Sequence, residues 1–225
     1  MFKIFRCGGK MSLKWAVNGL LDDIYFYAQG IPRLLISWKP ENELSILKFF
    51  ENNVKKYPNE IAFIFKDQEI TWLEADIKVS EYGAYLQSEG IEKGDCFALL
   101  MDNCPDFLML LLAAHRIGAI AALINTTVTG EGLKHVVTIV DAKAVILGAS
   151  HIDKFNSSMP ESELLALNLY AIEDSQKIPN EYVDINEQSK SFQDLNSHNL
   201  KIKDVGMYIY TSGTTGLPKA ALITN

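Results

Sequence analysis

The sequence predicts an α/β fold in which a mostly parallel sheet is flanked by helices. Three observations predict it. Short apolar runs that read as strands alternate with helical patterns between residues 61 and 148, and repeated strand–helix–strand units with short connections build parallel sheets. Residues 96–101 form an almost unbroken apolar run, as expected of a strand buried on both faces. Behind Pro105 comes a helical stretch whose Phe107, Leu108, Leu111 and Leu112 are too apolar for a helix facing water.

In chain order, residues 1–40 stand apart as an N-terminal, membrane-proximal segment, and residues 41–225 form the globular part. The first 14 residues are basic and lack acids. Residues 15–36 are rich in Leu, Ile and aromatic side chains, but Asp22-Asp23 and Gly30-Ile31-Pro32 interrupt them. A spanning helix is therefore disfavoured, and a segment lying in the headgroup zone fits better. Residues 41–56 read as a helix with Leu47, Phe50, Val54 and Tyr57 along one face. Residues 61–65 are a strand, and Asp67-Gln68 turns into Ile70-Thr71. The next helix runs from about Trp72 to Ser88 with Trp72, Ala75, Val79, Tyr82 and Leu86 as its inner stripe and Gly90 beyond its end. After the strand at 96–101 and the helix behind Pro105, Gly118 closes that helix. Strands follow at 120–124 and 144–147, with a helix at 130–140 between them. Residues 150–202 read as a variable, exposed region with one strand near 167–172. His115 and His135 are read as solvated or capped rather than as general bases.

Composition narrows the functional classes. Of 225 residues, 48% are hydrophobic and 22% charged, with a net charge of −7. Residues 1–40 carry six basic and two acidic groups, +4, whereas the rest holds 15 basic and 26 acidic groups, −11. An acidic body cannot neutralise phosphates along a duplex, so no nucleic-acid partner is expected. Cys7, Cys96 and Cys104 have neither disulfide nor metal-ligand spacing, which favours a reducing compartment and no protein metal site.

The stretch that carries chemistry is Tyr208-Ile-Tyr-Thr-Ser-Gly-Thr-Thr-Gly-Leu-Pro-Lys219, followed by Ala-Ala-Leu-Ile-Thr. It reads as an apolar strand, a loop rich in glycine and hydroxyls, one lysine and a second apolar strand. Gly213 and Gly216 allow consecutive N–H groups to turn inward as an anion-binding nest. Ser212, Thr214 and Thr215 add hydroxyl donors, and Lys219 adds a compact positive charge suited to phosphate. Pro218 freezes φ just before that lysine. A Walker A loop would need glycine directly before the lysine and a helix after it; here Pro218 and a strand stand in those places. The residues assigned to phosphate or nucleotide binding are Tyr210, Thr211, Ser212, Gly213, Thr214, Thr215, Gly216, Leu217, Pro218 and Lys219.

The nine residues from Thr211 to Lys219 resemble the signature loop of the adenylate-forming, or AMP-binding, superfamily of acyl-CoA synthetases, luciferases and peptide-synthetase adenylation domains. The longer string from Tyr208 to Ala221 is similar to the branch of fatty acid transport proteins that act as very-long-chain acyl-CoA synthetases. Arg116-Ile-Gly118, Asn125-Thr126, Gly130-Glu131, His135, Pro58, Gly94-Asp95 and the Asn103-x-x-x-Phe107 spacing extend the likeness. The resemblance implies the N-terminal part of an adenylate-forming synthetase fold. It implies ATP, Mg²⁺ and coenzyme A, with a long- or very-long-chain fatty acid activated to acyl-CoA through an acyl-adenylate, coupled to fatty acid uptake. It also implies a membrane-associated protein with its site facing the cytosol, at the endoplasmic reticulum or the plasma membrane. The family's adenine, ribose and magnesium motifs, hinge and lid follow the loop, whereas this sequence runs six residues past Lys219 and has Asn225 where the family often has histidine. A fragment of a longer ligase is therefore expected, its catalytic residues outside these 225 and its isolated activity absent. The alternatives are a ligase for an aryl or amino acid, and a truncated, non-catalytic lipid-associated protein.

The N-terminal expectation is directly testable. Electrostatic attraction to an anionic surface contributes about 1 kcal/mol per basic residue and falls with salt, while buried Trp, Leu and Ile side chains add a part that salt does not screen. Deletion of residues 1–36 is expected to move the protein from anionic vesicles to the supernatant on sedimentation, and salt alone to release it only partly. Full-length protein that stays soluble beside such vesicles at low salt would refute the anchor.

Overall fold

In the computed structural model, which describes residues 39–43, 45–174, 176–191, 195–211 and 217–225, the first helix begins at Ser45. The Ser45 hydroxyl accepts the Lys48 N–H at 3.2 Å, so α1 spans Ile46–Lys56 rather than starting at residue 41. The capping serine, and not the first polar residue after Pro40, sets the boundary. Leu47 and Phe50 are buried on its inner face. The chain divides into two compact units, Met1–Lys39 and Pro40–Asn225. Apart from Lys39, the first lies outside the described residues, and with it the expected membrane segment.

Strands β1 (Ile61–Phe65) and β2 (Gln68–Thr71) pair antiparallel as a separate two-stranded sheet. The turn between them is Lys66-Asp67, one residue earlier than the sequence suggests, with Lys66 at φ 54°. Thr71 then caps α2 (Trp72–Ser88) through a reciprocal box with Glu74, satisfying two end groups at once. The expected stripe is inside: Ala75, Val79, Tyr82 and Leu86 are buried.

The main sheet follows. Strand β3 (Cys96–Leu100), helix α3 (Pro105–Ile117), strand β4 (Ile120–Leu123), helix α4 (Gly130–Thr138) and strand β5 (Ala142–Gly148) alternate as predicted. They continue into α5 (Ile152–Ser158), α6 (Glu161–Leu164), β6 (Asn168–Ile172), β7 (Val183–Asp184), α7 (Ile185–Ser189), β8 (Val205–Thr211) and β9 (Lys219–Thr224). Seven strands lie in the order β7-β6-β5-β3-β4-β8-β9. All pairs are parallel except β8 with β9.

Alternate residues of β3 feed two separate cores. Phe97 and Leu99, with Met101 just past the strand, pack with α1, α2 and α3 on one face. Cys96, Ala98 and Leu100 pack with α4 and α5 on the other. Full burial of each large apolar side chain contributes about 1.5–3 kcal/mol. The step from β3 to β4 crosses one face through α3, and the step from β4 to β5 runs the opposite way across the other face through α4. Reversing both direction and face preserves the hand of the crossover, as parallel units require.

Residues 150–202 are better built than their composition suggests. Ile152, Phe155, Met159, Tyr170, Tyr182 and Ile185 are buried in short helices and strands that close both cores. The polar residues between them made the stretch look exposed, because elements this short carry too few apolar positions for a period to show.

Arg116 and Gly118 finish α3. The Arg116 guanidinium is buried and donates to the Asp76 carboxylate at 2.6 Å and the Ser80 hydroxyl at 2.8 Å, tying α3 to α2. Gly118 takes φ 73°, and a Cβ there would lie 2.9 Å from the Lys93 side chain. Gly90 has φ 84° with nothing near its missing Cβ. Left-handed backbone at a non-glycine costs about 1–3 kcal/mol. Both variants carry that strain, so Gly118→Ala is expected to lower the urea midpoint more than Gly90→Ala only by the cost of displacing the Lys93 side chain. Equal losses would show that the crowding is relieved freely.

Candidate functional site

Because the β3 and β4 connections leave onto opposite faces, their carboxyl ends part and leave a crevice, the place where open parallel sheets bind ligands. A cleft of about 390 Å³ occupies it. Met101, Asp102 and Asn103 line it from β3, Leu123 to Thr126 from β4, and Ile209 and Tyr210 from β8. A second cleft of about 780 Å³ opens at the carboxyl ends of β3, β5 and β6, between Met101–Asp106, Gly148, Ile172–Asp174 and the β1–β2 turn. Asp102 contributes to both. The Asn125 side chain accepts the N–H and the hydroxyl of Thr127, each at 2.9 Å, which fixes the turn out of β4. The Lys154 ammonium donates to the Thr126 carbonyl, and burial lowers its pKa. His151 Nε2 lies 3.3 Å from the Asp102 carboxylate.

The signature loop leaves from the same edge. Strands β8 and β9 form an antiparallel hairpin in which Tyr210 faces Ala220 and Thr211 faces Lys219. Ser212, Gly213, Thr214, Thr215 and Gly216 lie outside the described residues. Of the other assigned residues, Thr211, Leu217 and Lys219 are exposed, and Tyr210 and Pro218 are half-buried. No carboxylate among the described residues pairs with the Lys219 ammonium, which leaves it open to an anion. The Tyr210 hydroxyl donates to the Val136 carbonyl of α4; burial first, then neighbouring Cys96 and Tyr208, push its pKa up. Pro218 offers its carbonyl to His135 Nε2 at 3.0 Å.

Both histidine expectations need correction. The solvated reading fails for His135, which is half-buried; its ring is capped by the Pro218 carbonyl at the loop's end, 83 residues along the chain, a separation at which sequence spacing carries no signal. His115 is buried, with Nδ1 against the Leu111 carbonyl at 2.7 Å and Nε2 without a partner among the described residues. A Cβ on Gly206 of β8 would come within 2.6 Å of that nitrogen, so the ring is a packing element of the sheet. The cysteines behave as small apolar groups. Cys96 is buried with its thiol pushed up to about 12 by burial, and Cys104 is half-buried against the core; Cys7 lies outside the described residues.

Burial depresses the His115 pKa below its ordinary 6.5. The unfolded chain then binds a proton that the folded one rejects, so stability is full above about pH 6.5 and declines as pH falls below it. Urea midpoints are expected to drop between pH 7.5 and 5.5, and to drop less in His115→Gln. The same decline in that variant would place its source elsewhere.

Comparison with known proteins adds the family. Residues 50–225 match the family of AMP-binding enzymes. A medium/long-chain-fatty-acid–CoA ligase of Mycobacterium tuberculosis is 28% identical over 187 residues, covering 83% of this chain and 30% of its own. The human long-chain fatty acid transport protein 6 is 27% identical over 213 residues, 90% of this chain and 34% of its own. The chain thus spans about a third of the length of these relatives. Among solved structures, an anthranilate–CoA ligase in complex with anthranoyl-AMP superposes with a TM-score of 0.74 at 20% identity, over 83% of this chain and 35% of its own. That likeness concerns the fold. With its parallel sheet, its hairpin loop at the strands' carboxyl edge and a family match over most of its length, the chain belongs to the AMP-binding enzymes.

Proposed function

We propose that this chain carries the phosphate-binding part of a ligase that activates a carboxylic acid with ATP, by way of an acyl-adenylate, and passes the acyl group to coenzyme A. The acid is a long- or very-long-chain fatty acid, and its activation is coupled to uptake. The observation that supports this most is Lys219, unpaired among the described residues, at the end of a hydroxyl- and glycine-rich hairpin loop beside the β3/β4 crevice. Relatives whose names specify fatty acid ligation or transport support the choice of acid.

The residues fit a polyphosphate. Lys219 supplies a compact charge, and the N–H groups and hydroxyls of residues 212–216 supply donors to oxygens that only accept. Tyr210, Thr211, Leu217 and Pro218 form the stems that hold them. Donors aimed at phosphate oxygens stabilise negative charge as it develops there. No group of three or more His, Cys, Asp or Glu side chains converges on a metal position among the described residues. Mg²⁺ would accompany the nucleotide's phosphates and spread their charge. Residues 1–40 hold the protein on a membrane surface and the site faces the cytosol; among the described residues no helix is long and apolar enough to cross a membrane.

In a form of the protein that catalyses ATP–pyrophosphate exchange, Lys219→Ala is expected to slow exchange about ten- to a hundredfold with the fold intact, since a charge-assisted contact contributes about 1.5–3 kcal/mol. Exchange at the wild-type rate would remove the lysine from the mechanism. A panel of acids separates the substrate classes: exchange driven by an aryl or amino acid and not by oleate would overturn the fatty acid assignment.

A further inference from the structure

We propose that His135 is a positioning residue for the phosphate loop, and that together with Tyr210 it pins both stems of that loop to the last turn of α4. The inference rests on the phosphate-binding role assigned to the loop. His135 Nε2 lies 3.0 Å from the Pro218 carbonyl, and the Tyr210 hydroxyl donates to the carbonyl of Val136. Two consecutive residues of one helix thus hold the two points between which residues 211–217 run.

Each contact has a chemical reason. A carbonyl only accepts, so Nε2 of His135 carries the proton. Val136 belongs to the final turn of α4 (Gly130–Thr138), where carbonyls have no partner within the helix. The Tyr210 hydroxyl therefore satisfies a group that the helix leaves open. The platform is itself fixed, because Leu133, Val136 and Val137 are buried in the second core.

The geometry bears directly on Lys219. The carbonyl of Pro218 and the N–H of Lys219 belong to one planar peptide group, and the proline ring fixes the φ that precedes it. Holding that carbonyl orients the plane from which the Lys219 backbone departs. The exposed ammonium of Lys219 has no hydrogen bond of its own among the described residues, so its starting direction comes from the peptide plane. His135 acts on the phosphate through this plane and does not touch the phosphate.

The test uses the whole 225-residue chain, inorganic pyrophosphate as probe, and three readouts: pyrophosphate affinity by calorimetry, amide exchange at Leu217, Lys219 and Ala220, and the urea midpoint. His135→Leu is expected to weaken pyrophosphate binding about three- to tenfold, as the loss of one neutral hydrogen bond implies, and to speed exchange at those amides with the midpoint unchanged. His135→Gln, whose amide can donate to the same carbonyl, is expected to restore both. Lys219→Ala serves as the control for phosphate binding. If Lys219→Ala weakens binding and His135→Leu does not, the positioning role is overturned and the phosphate role stands. If the wild-type chain binds no pyrophosphate, the phosphate role fails, and exchange still decides the pinning: faster exchange in His135→Leu with recovery in His135→Gln upholds it, and unchanged exchange overturns it. A loss of affinity that follows a lowered midpoint and is not restored by glutamine would make His135 a packing residue and overturn the proposal.

Discussion

The whole arrangement depends on burying β3 on both faces. A central parallel strand with no solvent side must be covered by helices above and below, so the connections on either side of it leave in opposite directions. Phe97 and Leu99 are committed to one core and Ala98 and Leu100 to the other. The parting of the β3 and β4 connections is the consequence, and the 390 Å³ cleft between Asn103, Asn125 and Tyr210 is what that parting leaves. The cleft is a by-product of the packing, and no separate element is needed to build it.

Next to that crevice, the hairpin of β8 and β9 brings a loop whose function requires precision but whose sequence favours freedom. Glycine and threonine at close spacing leave the backbone many conformations to lose. Hairpin pairing fixes only the stems, through Thr211 opposite Lys219. Two contacts to α4, at Tyr210 and Pro218, add to the restraint on those stems. Each is a neutral hydrogen bond with a net contribution of about 0.5–1.5 kcal/mol, small against the stability of the sheet. Their value is geometric: a buried helix fixes the orientation of a peptide plane at the surface.

The polar groups at the carboxyl edge show the same division of labour. Asn125 holds a turn, Lys154 secures the Thr126 carbonyl, and Asp174 receives the N–H and hydroxyl of Ser150. These side chains keep backbone groups satisfied where strands stop and helices have not begun, which is where a sheet of this kind is most open to water.

Much of this was legible in the amino-acid sequence. The strand at Cys96, the helix behind Pro105 and the glycine at 118 are set by local rules: an unbroken apolar run, a ring that fits the first turn, and a residue that tolerates positive φ. The family was legible for the same reason, since the resemblance rests on nine adjacent residues from Thr211 to Lys219. Tertiary structure decided the rest. It carried Ile152, Phe155, Tyr170 and Ile185 of the 150–202 stretch into the core, turned His115 inward against Gly206, and set His135 against Pro218. Those outcomes depend on which surfaces meet after the sheet closes, between residues up to 91 positions apart. A period or a spacing records only what one stretch of chain can bury or hydrogen-bond by itself; the partner that completes it is chosen by the packing of the whole.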